Sequence, residues 1–131
     1  MDNFNEDEAN IMVEIAEAGD RPLLMMNLNR YKSDSFPDGP LYCEWRKINK
    51  EMIGAVGGKI IWTLPVKGYI LANGPQEPLD EILAYWYPSH QCFLDMRKLE
   101  IAKKNFEIRK NLIDYAMVHR CDGENPPVLH A

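Results

Sequence analysis

The sequence predicts an α+β domain whose core runs in the order βαββαβ. Three observations carry this. Apolar runs of strand length occur at residues 23–31, 59–65, 81–87 and 113–121. Between the first and second runs, and again between the third and fourth, apolar residues recur at spacings of three and four. Glycine, proline and serine punctuate the points where one period gives way to the other.

The elements follow in order. Residues 5–18 suit a short helix: Asn5 is a cap, acids fill the first turn, Ile11 and Ile15 lie four apart, and Gly19 is a stop. Leu23–Tyr31 is a strand that opens on four consecutive apolar residues, as a strand covered on both faces does. Its alternation puts Asn27, Asn29 and Tyr31 on the face of Leu23 and Met25, with Leu28 and Arg30 opposite. A Ser-, Asp- and Pro-rich loop follows. Leu41–Val56 is a helix with one apolar stripe at Leu41, Trp45, Ile48, Met52 and Val56 and a second at Tyr42, Arg46, Asn49 and Ile53, ended by Gly57-Gly58.

Lys59–Pro65 is a strand with Ile60, Trp62 and Leu64 on one face and Ile61 and Thr63 on the other. Pro65 donates no amide hydrogen, so a bend is expected there, with the ladder resuming over Val66–Ala72. A turn and loop over 73–80 lead into the strand Glu81–Tyr87. Ser89 caps a helix from His90 to about Arg97; after a break near Lys98 a second helical stretch runs to about Asn111, with a stripe at Ile101, Asn105, Ile108 and Leu112. Ile113–Cys121 is the last strand. The chain reads as one domain over residues 1–131, with its core at about 20–121 and a loose, proline-containing tail at 122–131.

Without the first helix, this order is the split βαβ, or ferredoxin-like, pattern: an antiparallel sheet with helices on one face. Met25, Trp62, Tyr85, Trp86 and Met117 are more apolar material than one helical layer needs. A second copy of the chain is the simplest cover for the other face, so a homodimer is expected.

The stretches Leu24–Tyr31 (LMMNLNRY) and Glu81–Met96 (EILAYWYPSHQCFLDM), joined by the Gly57-Gly58-Lys59 turn, resemble the dimeric α/β-barrel superfamily. Within it they are most similar to a small family of unknown function. That family carries an M-L-N-L-x-R first strand and a Y-P-S-x-x-x-F junction between the third strand and second helix. The resemblance covers roughly residues 20–121; the helix at 5–18 and the long loop at 32–40 are additions to the pattern. It implies a dimeric α/β barrel with a pocket between sheet and helices in each subunit. Related families include cofactor-free monooxygenases of aromatic polyketides, muconolactone-type isomerases, chlorite-dismutase-like haem proteins, polyketide cyclases and stress-response proteins. No histidine is placed for haem ligation, and no one of these activities carries across.

Composition excludes several classes. The formal net charge is −5, and the basic run from Arg97 to Lys110 is interrupted by Glu100 and Glu107, so a nucleic-acid partner is not expected. No apolar run approaches the roughly 20 residues of a membrane span, and the acidic start is unlike a signal peptide, so a cytoplasmic location is expected. Cys43, Cys92 and Cys121 are far apart and read as buried or half-buried thiols. Phosphate-binding glycine loops, HExxH and nucleophile-elbow motifs are absent, and neither a cofactor nor a metal is expected.

Candidate site residues remain. His90 follows a helix cap, where the dipole favours a neutral imidazole that can act as a base; the plainer role is a first-turn residue facing solvent. Asn27, Asn29 and Arg30 end an apolar strand; the amides can grip a carbonyl or enolate oxygen or secure the next loop, and Arg30 can pair with Glu44 or Asp34. Tyr42 and Arg46, one turn apart, suit a phenolate or carboxylate, or a surface pair. Trp45 and Trp86 read as core or interface. Trp62 and Tyr87 suit a flat apolar ligand as well as ordinary strand packing. His119 in the last strand suits a dimer contact.

Two functions fit these residues. In one, His90 abstracts a proton while Asn27 and Arg46 steady the developing charge, and Asn29, Arg30, Tyr42, Trp62 and Tyr87 hold an aromatic or carbonyl-bearing molecule. That would be a cofactor-independent isomerase, cyclase or monooxygenase. In the other, the same residues belong to a non-catalytic ligand-binding or assembly protein.

Overall fold

The computed structural model describes residues 4–75 and 77–125. Four helices and four strands follow one another as α1 (Glu6–Gly19), β1 (Leu23–Tyr31), α2 (Pro40–Gly54), β2 (Lys59–Pro65), β3 (Glu81–Tyr87), α3 (His90–Met96), α4 (Glu100–Leu112) and β4 (Ile113–Asp122). The strands form a four-stranded sheet in the order β2-β3-β1-β4, with antiparallel pairs throughout. The chain is therefore α+β, as expected. Residues 126–131 of the expected tail lie outside the described residues.

Local chemistry accounts for the helix ends. Asn5 accepts the Glu8 amide at 3.2 Å, capping α1 ahead of Glu6, Asp7 and Glu8. Gly57 takes φ +81°, and the Gly58 amide returns to the Ile53 carbonyl, satisfying an end group of α2.

All four helices contribute to a core on one face of the sheet, where Leu23, Met25 and Tyr31 of β1 and Leu83, Tyr85 and Tyr87 of β3 meet Met12, Trp45, Met96 and Leu112. The two stripes expected on α2 merge into one buried face: Trp45, Ile48 and Met52 come from the first, Tyr42, Asn49 and Ile53 from the second. Cross-strand register places Leu24, Leu28, Ile82, Trp86, Trp62 and Met117 on the other face. No helix lies there among the described residues.

Three expectations need correction. First, β2 has an irregularity between Ile60 and Trp62: Ile60 opposes Tyr85 and Trp62 opposes Ala84, the residue next to it. The extra Ile61 is a bulge, so Ile60 shares the helical face while Trp62 and Leu64 take the opposite one. Second, Val66–Ala72 does not rejoin the sheet. Only the Val66 amide, bonded to the Asp80 carbonyl, prolongs the pairing, and Ile70 and Leu71 stand fully in solvent. Third, Cys43 and Cys121 are exposed; only Cys92 is partly covered.

β4 crosses close to the start of β1. A Cβ at Gly123 would fall inside contact distance of the Leu23 backbone, and the Gly123 carbonyl accepts the Trp86 indole N–H at 3.0 Å. The last strand is thereby locked to the first and third.

Candidate active site

A cavity of about 710 Å³ lies between the helical layer and the sheet, and reaches the edge at β4. Every residue from Ile113 to Arg120 borders it, although successive strand residues point to opposite faces, which places its opening along that edge. Methionines 12, 25, 52 and 96 supply much of the apolar wall, with Phe93 and Phe106 beside them. Such a wall adapts to irregular shapes, because thioether side chains are flexible and polarizable.

Buried amides form the polar part of the wall. The Asn49 amide donates to the Tyr85 hydroxyl at 2.6 Å, and the Asn105 amide donates to Asn49 Oδ1 at 3.3 Å. This chain ties β3 to α2 and α4 across the cavity floor. Burial pushes the Tyr85 phenol far above its usual range, so the hydroxyl stays protonated and keeps a hydrogen to donate. Asn27 also borders the cavity, and its amide donates to the Met25 carbonyl of its own strand at 3.2 Å. Tyr87 borders it too, packed edge-on against Phe93.

A second polar cluster sits on the helical face at the opposite ends of β1 and β3. Glu81, 3% exposed, accepts the Tyr31 hydroxyl at 2.7 Å and the Tyr42 hydroxyl at 2.9 Å, with Arg46 Nη1 3.6 Å away. Asn29 Nδ2 donates to the Tyr31 oxygen at 3.2 Å. Burial, reinforced by the Glu81 carboxylate, pushes both phenols upward. The Tyr42–Arg46 pair therefore does meet a carboxylate, and it is one of the chain's own. Arg46, Asn29 and Tyr42 are brought together here, away from His90.

His90 is 2% exposed and does not border the cavity. Its Nδ1 lies 2.8 Å from the Arg21 carbonyl, which can only accept, so Nδ1 carries the hydrogen and donates. Asp20 accepts the His90 amide at 2.7 Å and the Gln91 amide at 3.2 Å, while Ser89 accepts the Cys92 amide at 3.0 Å. The first amides of α3 are thus satisfied from two directions. Ser89 caps the helix as expected. His90 belongs to a clasp between the α1–β1 turn and α3, instead of facing solvent or the cavity.

The clasp has a pH signature. Desolvation raises the Asp20 carboxyl, but donation from the His90, Gln91 and Arg21 amides outweighs it and holds the group below its ordinary 3.8. A depressed carboxyl stabilises above the unfolded value and loses that contribution as pH falls through the folded one. Asp20→Ala is expected to cost about 1 kcal/mol near neutrality, the scale of a lost cap. Urea midpoints of the two proteins should converge below about pH 3.8, the ordinary carboxyl value.

Of the remaining candidates, His119 borders the cavity from β4, and Arg30 and Trp62 lie elsewhere. Arg30 pairs with Asp114 at 2.9 Å and Glu77 at 3.3 Å, not with Glu44 or Asp34, and stacks over Tyr115 on the open face. Trp62 is on that face as well. The sequence reading passed over Glu81, Asn49, Asn105 and Arg97. Asn49 and Asn105 did carry a signal, since each is a polar residue inside a predicted apolar stripe. Among the described residues no group of three or more His, Cys, Asp or Glu is placed to hold a metal, and no helix is long and apolar enough to cross a membrane.

No family model matches the chain, and no curated protein matches its sequence. Its fold is shared with solved structures. A crystal structure of the RPA0582 protein of unknown function from Rhodopseudomonas palustris superposes with a TM-score of 0.71 at 22% identity, covering 95% of this chain and 97% of that one. The methylated form of RPA0582 gives the same TM-score at 23% identity, covering 95% of each chain. At these identities the likeness is one of fold: a small α+β protein whose counterpart is itself of unknown function.

Proposed function

We propose that the chain is a ferredoxin-like, dimeric α/β-barrel protein that binds a small, largely apolar organic molecule in the cavity bordered by Asn27, Asn49, Tyr85 and Asn105. The observation that carries this reading is the cavity itself: about 710 Å³, walled by methionine and phenylalanine, with hydrogen-bonding groups gathered at one side. The order β2-β3-β1-β4 is the arrangement the split βαβ pattern requires, which supports the fold assignment. The sheet face that no described helix covers, with Met117, Leu64 and Tyr115 substantially exposed, supports a homodimer.

Binding is favoured over carbon-acid catalysis. The base candidate, His90, is engaged with Arg21 and Asp20 outside the cavity, and the Tyr85 phenol is too weak an acid to ionise near neutrality.

The test uses the neutral fluorophore N-phenyl-1-naphthylamine. Wild-type protein should enhance its emission saturably, and Ala9→Trp, which fills the cavity from the half-buried side of α1, should abolish this. Sedimentation of the same samples should give a dimer, and Met117→Glu on the open face should give a monomer. Absence of saturable binding, or binding untouched by Ala9→Trp, refutes the cavity reading; a wild-type monomer refutes the dimer.

A further inference from the structure

We infer that the molecule this cavity takes carries an anionic group, a carboxylate or its equivalent, and that Arg97 is the residue that reads it. The inference rests on the cavity reading and deepens it.

Arg97, the residue that closes α3, borders the cavity together with Phe4. Its Nε is buried and has no hydrogen-bond partner among the described residues. A buried donor left unmade is costly, and more so when it belongs to a charged group. Among the described residues, the acids bordering the cavity are engaged by other cations. Glu8 is engaged by Arg120, and Asp114 by Arg30 at 2.9 Å.

The Arg97 guanidinium lies over the Phe4 ring at 3.7 Å from its centroid. This cation–π contact anchors the guanidinium beside the cavity wall. Burial also depresses the proton affinity of Arg97, as expected for a cation removed from water. An incoming carboxylate would satisfy Nε and compensate the charge in one contact. The methionine wall would take the apolar remainder. The ligand class is therefore a small amphiphilic acid, with an aromatic or aliphatic body and one acidic head.

The experiment compares 2-naphthoate with 2-naphthamide, a neutral probe of nearly the same shape, by calorimetric titration of the wild type, Arg97→Gln and Arg97→Lys. The wild type should prefer the acid by roughly tenfold, the scale of one charge-assisted contact. Arg97→Gln should bring the two probes to within about twofold of each other by weakening the acid alone, and Arg97→Lys should restore part of the preference. Should Arg97→Gln fail to fold, added salt decides on the wild type, because it should weaken naphthoate and leave naphthamide unchanged. Equal binding of both probes, or a preference that survives Arg97→Gln, overturns the inference and leaves the cavity reading intact. Failure of both probes overturns the inference; if the neutral fluorophore also fails, the cavity reading falls with it.

Discussion

Replacing Glu81 with alanine is expected to cost about 3–5 kcal/mol of folding stability, the range for breaking a buried ion pair from one side. The carboxylate is at once the acceptor for the Tyr31 and Tyr42 hydroxyls and the counter-charge of Arg46, whose buried Nη1 has no hydrogen-bond partner among the described residues. Alanine leaves two buried hydroxyls and one cation uncompensated, and each unmade contact adds its own desolvation penalty. Glu81→Gln keeps the shape and one acceptor, so it should lose less than half as much. Urea denaturation of the three proteins measures this. An alanine variant within about 1 kcal/mol of wild type would mean that the cluster relaxes onto water instead of holding β1, β3 and α2 together.

Trp45→Ala should be comparably severe, at about 3–5 kcal/mol, because the indole is 1% exposed and packs among the rings of Tyr31 and Tyr42. The penalty combines lost apolar burial with the void left between α2 and the sheet. Trp45→Phe separates packing from polarity. The indole Nε1 is buried without a partner among the described residues, so phenylalanine removes an unmade donor while shrinking the side chain. It is expected to cost well under half the alanine value. Thermal and urea unfolding give both numbers, and equal losses for Phe and Ala would show that volume is not what Trp45 supplies.

The order of elements was legible because period and punctuation are local properties. Asn5 and Ser89 each accept the amide that their sequence contexts call for, and the Pro88-Ser89 change of period falls between β3 and α3. Which residues share a face of β1 and β3 was equally legible, since strict alternation fixes it. The convergence of side chains was not. Glu81 looked like the polar start of a strand, and only the pairing of Glu81 with Asn29 brings it beneath Tyr31 and Tyr42. His90 was noticed for its place at a helix start; the partner that decides its role, Arg21, lies 69 residues earlier. Arg97 counted only as one cation of an interrupted basic run, because nothing in its local sequence hints at Phe4, far away in the chain, against its guanidinium. Tertiary partners at long sequence separation leave no local trace.

The bulge in β2 carries a consequence for length variation. With Ile61 present, seven residues of β2 span six positions of β3 from Glu81 to Trp86. Ile61 is the supernumerary residue, and its two neighbours already occupy the positions that a regular ladder would give them. A chain lacking Ile61 would keep Trp62 and Leu64 facing one way and Ile60 and Thr63 the other, and would differ in strand twist instead of in which side chains meet the core. Elsewhere in β1 or β3, losing one residue would turn every later side chain over. In β2, an outer strand, length can therefore drift by a residue without exchanging inside for outside, and β4 at the other edge has a similar irregularity at Asp114, where Tyr115 opposes Arg30 and Ile113 opposes Tyr31.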